Sequence, residues 1–170
     1  MSVVVVWFTG LPASGKSTLA ASVRLRLVEE RVPCCLLDSD EIRRTLFPEL
    51  GYAPDERDRF YERLGDLAVL LAAQGLIVLV AATAPRREYR DRVRRAAQGF
   101  LEVHLDVPGE ECERRDPKGL YAKARRGEIA RLPGAGSEYE PPVSPELRIS
   151  DASGFAAAEA VVAEVRKLGA

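Results

Sequence analysis

A glycine-rich turn followed by a lysine and two hydroxyl residues stands near the start of the chain. Gly10 is followed by four residues and then by Gly15, Lys16 and Ser17, which is the spacing of a phosphate-binding loop. Glycine permits the positive φ values that turn successive N–H groups toward one anion, and the helix that follows adds its positive dipole end. The lysine reaches the β- and γ-phosphates of a nucleoside triphosphate, and the serine hydroxyl ligates magnesium. The motif therefore predicts a nucleoside triphosphate as phosphoryl donor.

A second cluster of polar side chains follows a later hydrophobic run, in the segment LLDSDEIRRTL. Asp38 stands where a predicted strand ends, Asp40 comes two residues later, and Arg43 lies at the start of the next predicted helix. A carboxylate at this place can accept a proton from an attacking hydroxyl or hold magnesium, and an arginine can bind an anionic acceptor. The alternative is structural, with Ser39 or Asp40 capping the helix, and capping is compatible with catalysis.

Two further segments offer cations and an aromatic ring. Tyr52 and Arg57 stand near a predicted helix start, where a charged, solvated helix face is an equally good explanation. Lys118 precedes a glycine, as a mobile cation at the hinge of a lid would, although a loop followed by a basic helix explains the same pattern. These three residues are candidates for the acceptor side of the site, with the structural alternatives left open.

The elements that must position these residues alternate between strands and helices. This alternation predicts an α/β fold of three layers, a parallel five-stranded sheet with helices on both faces. Gly75 and Gly99 each stand where a helix should end before a strand, as C-terminal caps do. The predicted strands are Val3–Phe8, Cys34–Asp38, Leu76–Ala81, Phe100–Asp106 and Glu146–Ile149, and the predicted helices are Lys16–Glu30, Glu41–Phe47, Pro54–Gln74, Arg87–Gln98 and Gly154–Leu168.

The candidate residues follow predicted strands, which is where a parallel sheet binds its ligands. One long irregular segment, residues 131–146, is rich in Pro, Gly and Ser, a composition typical of lids over active sites. We therefore expect a single domain over residues 1–170, with a lid region at about residues 116–142.

Charge and cysteine content narrow the class of protein. The chain has 25 Lys and Arg residues against 26 Asp and Glu residues, a balance that predicts no nucleic-acid partner and no membrane partner. The arginines between residues 86 and 95 fall on several faces of one predicted helix and alternate with Glu88 and Asp91, which argues against a polyanion patch. No stretch approaches transmembrane length. Three cysteines without disulfide spacing, and no signal peptide, predict a cytoplasmic protein.

Several longer segments make the sequence similar to a known family. Over nearly its whole length the chain resembles the adenylylsulfate kinases, which phosphorylate the 3′-hydroxyl of adenosine 5′-phosphosulfate. The segment CERRDPKGLYAKAR is far more specific than the phosphate-binding loop, and the other matching segments include GLPASGKST, LDSDEIRRTL, RREYRDRVRR and GSEYEPP. The resemblance implies the P-loop NTPase-type fold, ATP as phosphoryl donor, Mg²⁺ as cofactor and adenylylsulfate as acceptor.

The resemblance also implies a role for each candidate residue. Lys16, Asp38 and Asp40 would be catalytic, with Asp38 as the base near the acceptor hydroxyl, and Ser17 and Asp38 would hold the metal. Tyr52 and Leu132 would form two walls around the acceptor base. A homodimer is one option for the oligomeric state. The ATP site would comprise Gly10, Ala13, Ser14, Gly15, Lys16, Ser17, Thr18 and Arg115, and the acceptor site would comprise Arg43, Tyr52, Arg57, Lys118, Tyr121 and Leu132.

Four positions differ from the usual pattern of that family. Ser39 replaces a glycine, Phe60 an asparagine, Ala84 a serine and Leu132 a phenylalanine. Loss of an amide hydrogen bond to a charged acceptor costs about 1.5–3 kcal/mol. Loss of one aromatic stacking partner costs about 0.5–1.5 kcal/mol. The reaction type is therefore a firmer prediction than the identity of the acceptor.

Two other functions stay open on the sequence alone. The first is a kinase of the same fold that acts on the hydroxyl of another nucleotide, such as a cytidine diphosphate derivative, and Phe60 and Leu132 motivate it. The second is a nucleotide-binding regulatory domain without catalysis. This second function is disfavoured because a degenerate domain would be expected to lose at least one of its site residues, and the chain keeps Lys16, Ser17, Asp38 and Lys118.

Overall fold

The computed structural model describes residues 4–169, so Val3, with which the first predicted strand begins, lies outside the described residues. In chain order the elements are β1 (Val4–Thr9), α1 (Lys16–Glu29), β2 (Cys34–Asp38), α2 (Ser39–Leu46), α3 (Pro54–Ala72), β3 (Ile77–Ala81), α4 (Arg87–Ala96), β4 (Gly99–Leu105), α5 (Gly109–Arg115), α6 (Leu120–Arg125), β5 (Leu132–Pro133), β6 (Gly136–Ser137), β7 (Leu147–Ile149) and α7 (Phe155–Gly169).

β1 lies in the middle of a five-stranded sheet whose strand order is β2-β3-β1-β4-β7. All of its strand pairs are parallel, and Val5 of β1 pairs with Val78 of β3 on one side and with Phe100 of β4 on the other. Because the strands run in one direction, their carboxyl ends meet at a single edge, where such sheets bind ligands. The predicted α/β fold with a parallel five-stranded sheet is confirmed.

The central strand is buried on both faces, which explains its unbroken apolar run. Val6 and Phe8 point to one face, where α1 and α7 pack against them. Val5 and Trp7 point to the other face, which α3 and α4 cover, and the indole N–H of Trp7 donates to the carbonyl oxygen of Ala82 at 3.2 Å. Helices therefore lie on both faces of the sheet. Within residues 4–169 no helix is long and apolar enough to span a membrane.

The short elements are where the structure departs from the sequence prediction. The seven-residue helix α5, too short for a clear helical period, was not predicted, whereas the six-residue α6 is the basic helix that was the structural alternative for the segment after Lys118. Gly75 adopts φ 90° just after α3, as a C-terminal cap does. The cap prediction is wrong for Gly99, which is the first residue of β4. The preceding helix ends at Ala96, and Ala97 already has extended backbone with φ −80° and ψ 146°.

Candidate active site

The phosphate-binding loop joins β1 to α1 in a backbone conformation that favours glycine. Gly15 is the N-cap of α1, and its φ of 97° lies in the left-handed region. Ala13 also has a positive φ, 63°, which is uncommon for a residue with a side chain. A Cβ atom on Gly10 would lie 2.8 Å from the carbonyl oxygen of Leu105, so no side chain fits there. Thr18 is exposed on the first turn of the helix. The loop has the tight shape that its motif predicts.

Lys16 is the first residue of α1 and folds back across the loop. Its Nζ donates hydrogen bonds to the carbonyl oxygens of Gly10 at 3.1 Å and Leu11 at 2.8 Å. Burial lowers the pKa of Lys16 to about 8. Phosphate oxygens would be stronger, charge-assisted partners for this ammonium than the two carbonyl oxygens are. The side chain is therefore held inside the loop that the motif assigns to phosphate.

Two hydroxyl groups of this region fit a polar ligand and a metal ion. Ser14 is buried, and its hydroxyl has no hydrogen-bond partner within residues 4–169. Such a group costs about 1–3 kcal/mol, a penalty that a polar ligand in the loop would remove. Ser17 Oγ donates to Asp38 Oδ2 at 2.5 Å. This pair brings together two hard oxygen donors of the kind that Mg²⁺ prefers, so the residues present fit a magnesium site.

The two predicted catalytic carboxylates lie at the end of β2 and the start of α2. Asp38 is the N-cap of α2, and its Oδ1 accepts from the backbone N–H groups of Asp40 at 3.0 Å and Glu41 at 3.5 Å. The cap is therefore Asp38, not Ser39 or Asp40. Asp40 forms an ion pair with Lys118, and this hydrogen bond raises the pKa of Lys118. Asp38 therefore caps α2 with one carboxylate oxygen and faces the phosphate-binding loop with the other.

A cavity of about 290 Å³ lies between the start of α3, the turn before α4 and the segment that follows β5. Tyr52, which is 60% exposed, and Arg57 both line it. Arg57 donates from Nη2 to the carbonyl oxygen of Arg131, another lining residue, at 3.0 Å. Arg43 lies against Tyr52, with its Cζ 4.4 Å from the centroid of the ring. Guanidinium groups together with an exposed aromatic ring suit an anionic nucleotide.

Three lining residues of this cavity were not singled out from the sequence. Asp58 accepts hydrogen bonds from the Tyr89 hydroxyl at 2.5 Å and from Arg86 Nη1 at 3.0 Å. Burial, together with the bond to Asp58, raises the pKa of Tyr89 to about 12. These side chains come from two helices and from the turn after β3. The sequence signal for Arg86 and Tyr89 was the family-matching segment RREYRDRVRR, and Asp58 had none beyond the charged start of α3.

Tyr121 and Leu132 lie apart from this cavity. Both are buried in an apolar cluster that includes Cys112. The Tyr121 hydroxyl donates to the carbonyl oxygen of Pro12 at 2.9 Å, so α6 contacts the phosphate-binding loop directly. Leu132 does not line the cavity that Tyr52 lines. The two walls around an acceptor base therefore stay a prediction, one that requires the segment containing Leu132 to rearrange.

Arg115 lies near the connection between β7 and α7. Hydrogen bonds from Ser153, together with the positive charge of Arg115, lower the pKa of Asp151 in that connection. The next residue, Ala152, packs against the phosphate-binding loop, because a Cβ atom on Gly15 would lie 3.0 Å from the Ala152 Cβ. The connection therefore brings the loop and the end of α5 to one side of the molecule, as an ATP site would require.

The C-terminal end of the predicted lid is fastened to the sheet and to α4. The hydroxyls of Tyr139 and Thr9 are hydrogen-bonded at 3.1 Å, and Arg90 donates from Nη2 to the carbonyl oxygen of Glu140 at 2.7 Å. The Arg90 side chain is only 1% exposed and lies 2.8 Å from Glu102. Arg90 is therefore a buried structural ion-pair partner, although it belongs to a helix that is charged along its whole length.

Comparisons with known proteins agree with this geometry. Residues 2–150 match the model of the adenylylsulphate kinase family. An adenylyl-sulfate kinase of Shewanella oneidensis is 46% identical over 158 residues, which cover 92% of this chain and 77% of that protein. The chain belongs to the adenylylsulfate kinase family. The Mycobacterium tuberculosis APS kinase, solved in complex with AMPPNP and APS, has a TM-score of 0.86 and 42% identity, covering 96% of this chain and 95% of that one. A sugar kinase from Janibacter, at 21% identity and a TM-score of 0.57, shares the fold alone.

Besides Leu132, two departures from the usual adenylylsulfate kinase pattern are buried. Phe60, where asparagine is usual, has no exposed surface, and its ring packs against the Arg43 guanidinium. Ala84, where serine is usual, is also buried and has φ 42°, a conformation that few residues with a side chain adopt. Its N–H donates to the Tyr61 hydroxyl at 3.1 Å. Both positions therefore support the walls of the site from beneath.

Proposed function

We propose that this chain transfers the γ-phosphoryl group of ATP to the 3′-hydroxyl of adenosine 5′-phosphosulfate, producing ADP and 3′-phosphoadenosine 5′-phosphosulfate. The observation that carries the proposal is the Ser17–Asp38 hydrogen bond. It joins the end of a phosphate-binding loop to the carboxylates of β2 and α2, in a chain of the adenylylsulfate kinase family. A phosphoryl donor and a hydroxyl acceptor must meet between two such groups.

The donor side is assigned to the phosphate-binding loop. In this proposal the backbone N–H groups of residues 13–18 bind the phosphates, and Lys16 exchanges its two carbonyl partners for β- and γ-phosphate oxygens. Its ammonium then stabilises the negative charge of the transferring group. The Ser14 hydroxyl gains the partner that it lacks in the protein alone. Arg115 contacts the nucleotide from the end of α5.

The metal side is assigned to Ser17 and Asp38, whose oxygens lie 2.5 Å apart. Bound Mg²⁺ would neutralise part of the charge that develops on the β- and γ-phosphates. The Ser17 hydroxyl and the Asp38 carboxylate would hold the ion. Asp38 keeps the same orientation in either role, because its Oδ1 is fixed by the backbone N–H groups at the start of α2.

The acceptor side is assigned to the cavity of about 290 Å³. Arg43 and Arg57 would bind the phosphosulfate, and Tyr52 would stack on the base. Asp38 would accept the proton of the attacking 3′-hydroxyl, with Asp40 beside it. Lys118, which pairs with Asp40, would turn its ammonium to the phosphates when both nucleotides are bound.

The lid is assigned to residues 116–142 of a single-domain chain. Tyr121 and Leu132 would belong to the lid and follow its movement. Closure would exclude water, which competes with the acceptor hydroxyl for the phosphoryl group. Since Tyr139 and Glu140 are already bonded to β1 and α4, the moving part would be the segment before them. The three free cysteines are consistent with a reducing compartment, and we propose a cytoplasmic location.

A coupled assay of ADP release over a panel of nucleotides tests this function. Adenylylsulfate should be the preferred acceptor, turnover should require Mg²⁺, and product analysis should find the new phosphate on the 3′-oxygen. Adenosine 5′-monophosphate, which lacks the sulfate, and cytidine diphosphate derivatives serve as comparison acceptors. Faster turnover of a cytidine nucleotide would replace the acceptor and keep the reaction type. ATP binding without turnover on any hydroxyl would make the chain a regulatory domain.

A further inference from the structure

Arg43, in α2, is held between two aromatic side chains, one from the turn before α3 and one from α3 itself. Its Cζ lies 3.7 Å from the centroid of the Phe60 ring and 4.4 Å from the centroid of the Tyr52 ring. Phe60 is fully buried in α3, whereas Tyr52 is 60% exposed and lines the acceptor cavity. The Phe60–Arg43–Tyr52 stack therefore runs from the core of the protein to the wall of the cavity.

The inner end of the stack is rigid. The Phe60 ring makes edge contacts with Phe47, at 6.2 Å between centroids, and with Tyr61, at 5.3 Å. Arg43 Nη1 donates to the carbonyl oxygens of Leu50 at 3.2 Å and Gly51 at 2.7 Å. The Arg43 side chain has little rotational freedom, because the Phe60 ring lies beneath its guanidinium and two carbonyl oxygens accept hydrogen bonds from it. A guanidinium fixed in advance loses less conformational entropy when it binds an anion.

We propose that Phe60 is a positioning residue for the acceptor: it holds Arg43 in place, and through Arg43 it supports the Tyr52 wall of the cavity. This inference rests on the proposed function, because it assigns Arg43 and Tyr52 to adenylylsulfate. An asparagine at position 60 would remove the ring from beneath the guanidinium. The chain therefore replaces a polar contact to the acceptor with an indirect one, in which an apolar ring orients a cation.

The test compares Phe60→Leu with Phe47→Leu, a matched control. Both variants remove one ring from the same aromatic group, but only Phe60 stacks on Arg43. Phe60→Leu should raise the Michaelis constant for adenylylsulfate by about three- to thirtyfold, the range from an exposed to a desolvated cation–π contact, and leave the constant for ATP within about twofold. Phe47→Leu should raise the adenylylsulfate constant clearly less than Phe60→Leu does, because it leaves the Phe60 ring in place beneath Arg43. A similar rise in both variants, or for both substrates, would show a general packing defect and overturn the inference.

A double-mutant cycle with Arg43→Lys separates positioning from packing. Lysine keeps the charge and loses the flat guanidinium, so Phe60→Leu should have little further effect on the adenylylsulfate constant in that background. Additive effects in the cycle would mean that Phe60 does not act through Arg43. Thermal unfolding confirms that each variant is folded at the assay temperature, and Phe60→Met, whose unbranched side chain adapts to irregular gaps, replaces Phe60→Leu if that variant unfolds.

Failure of the proposed function and failure of the inference about Phe60 give different experimental results. No turnover of adenylylsulfate by the unchanged chain would overturn the proposed function and this inference with it. Normal turnover of adenylylsulfate, together with unchanged constants in Phe60→Leu and Phe60→Met, would overturn this inference alone.

Discussion

The phosphate-binding loop and the acceptor cavity are built in different ways. Lys16 bonds to carbonyl groups only five and six residues away, so the loop closes on itself within one short segment. In the cavity, Arg57 bonds to the backbone of Arg131, 74 residues later. A local site keeps its shape wherever the motif occurs, whereas a site assembled from distant segments changes with any residue that supports one of them. Binding of the phosphoryl donor therefore depends on a motif that many proteins share, whereas binding of the acceptor depends on residues particular to this chain.

Replacing Lys16 should have the largest effect on the donor side. Lys16→Met should lower turnover at least about a hundredfold, because it removes the charge that stabilises the transferring phosphoryl group. The same variant should unfold at a higher temperature than the unliganded parent at pH 7. The reason is that burial lowers the pKa of Lys16 to about 8, so the charged form weakens the fold below that pH.

The stability gain has a defined pH range. The pKa of Lys16 is about 8 in the folded protein and ordinarily 10.5. As pH rises between these values, the parent gains stability because its folded state loses the Lys16 proton at a lower pH than its unfolded state does. The advantage of Lys16→Met should therefore shrink as pH rises from 8 toward 10.5. Lys167→Met, at an exposed position on α7, is the matched control and should change neither turnover nor unfolding. Near-parent turnover in Lys16→Met would disprove the assignment of the loop.

Asp38→Asn changes the residue that joins the phosphate-binding loop to the acceptor side of the site. Turnover should fall by roughly a hundredfold, the usual contribution of a general base, while affinity for ATP changes far less. The fold should persist because asparagine is also a good N-cap residue. Asp66→Asn, at an exposed position on α3, controls for loss of a surface charge. If ATP affinity collapses while turnover at saturating ATP holds, Asp38 serves the metal and is not the base.

The pH dependence of kcat/KM for ATP tests the donor side of the comparison separately from the acceptor side. In the free enzyme, Lys16 is protonated below its pKa of about 8 and neutral above it. The ratio kcat/KM for ATP should therefore fall above pH 8, by up to about tenfold per pH unit, because this ratio reports ionisations of the free enzyme. Lys16→Arg, whose side chain stays charged, should lose this inflection. A ratio that stays flat from pH 7 to pH 9.5 in the parent would contradict a buried lysine in the free loop.

Leu132→Phe should have the smallest effect, on the acceptor side. Leu132 is 6% exposed and packs in the cluster with Tyr121 and Cys112, where a larger ring has little space. Overpacking costs about 1–3 kcal/mol, so the unfolding temperature should fall by roughly 2–10 °C. Calorimetry and the Michaelis constant for adenylylsulfate together test this expectation. Tighter adenylylsulfate binding with unchanged stability would instead support the two walls formed by Tyr52 and position 132.

The sequence alone predicted the features that depend on short-range patterns. Apolar runs separated by helical periods predicted the parallel sheet, and the motif from Gly10 to Ser17 predicted the loop that the structure contains. Position directly after a strand was enough to bring Asp38 to the loop, because the carboxyl ends of parallel strands share one edge. These features follow from backbone geometry and from the types of residues that are neighbours in the sequence.

Other features depended on which side chains from distant segments meet. Arg90 belongs to a charged helix by its pattern, yet the structure buries it against Glu102, because α4 packs this face onto β4. Phe60 is one apolar residue among many in α3, and only packing reveals that its ring lies beneath Arg43. Such contacts join residues on different elements, only 12 positions apart for Arg90 and Glu102, and neither a helical nor a strand period encodes them. The sequence by itself determined the fold and the phosphate-binding loop, whereas only the tertiary structure decided the shape of the acceptor cavity and what supports it.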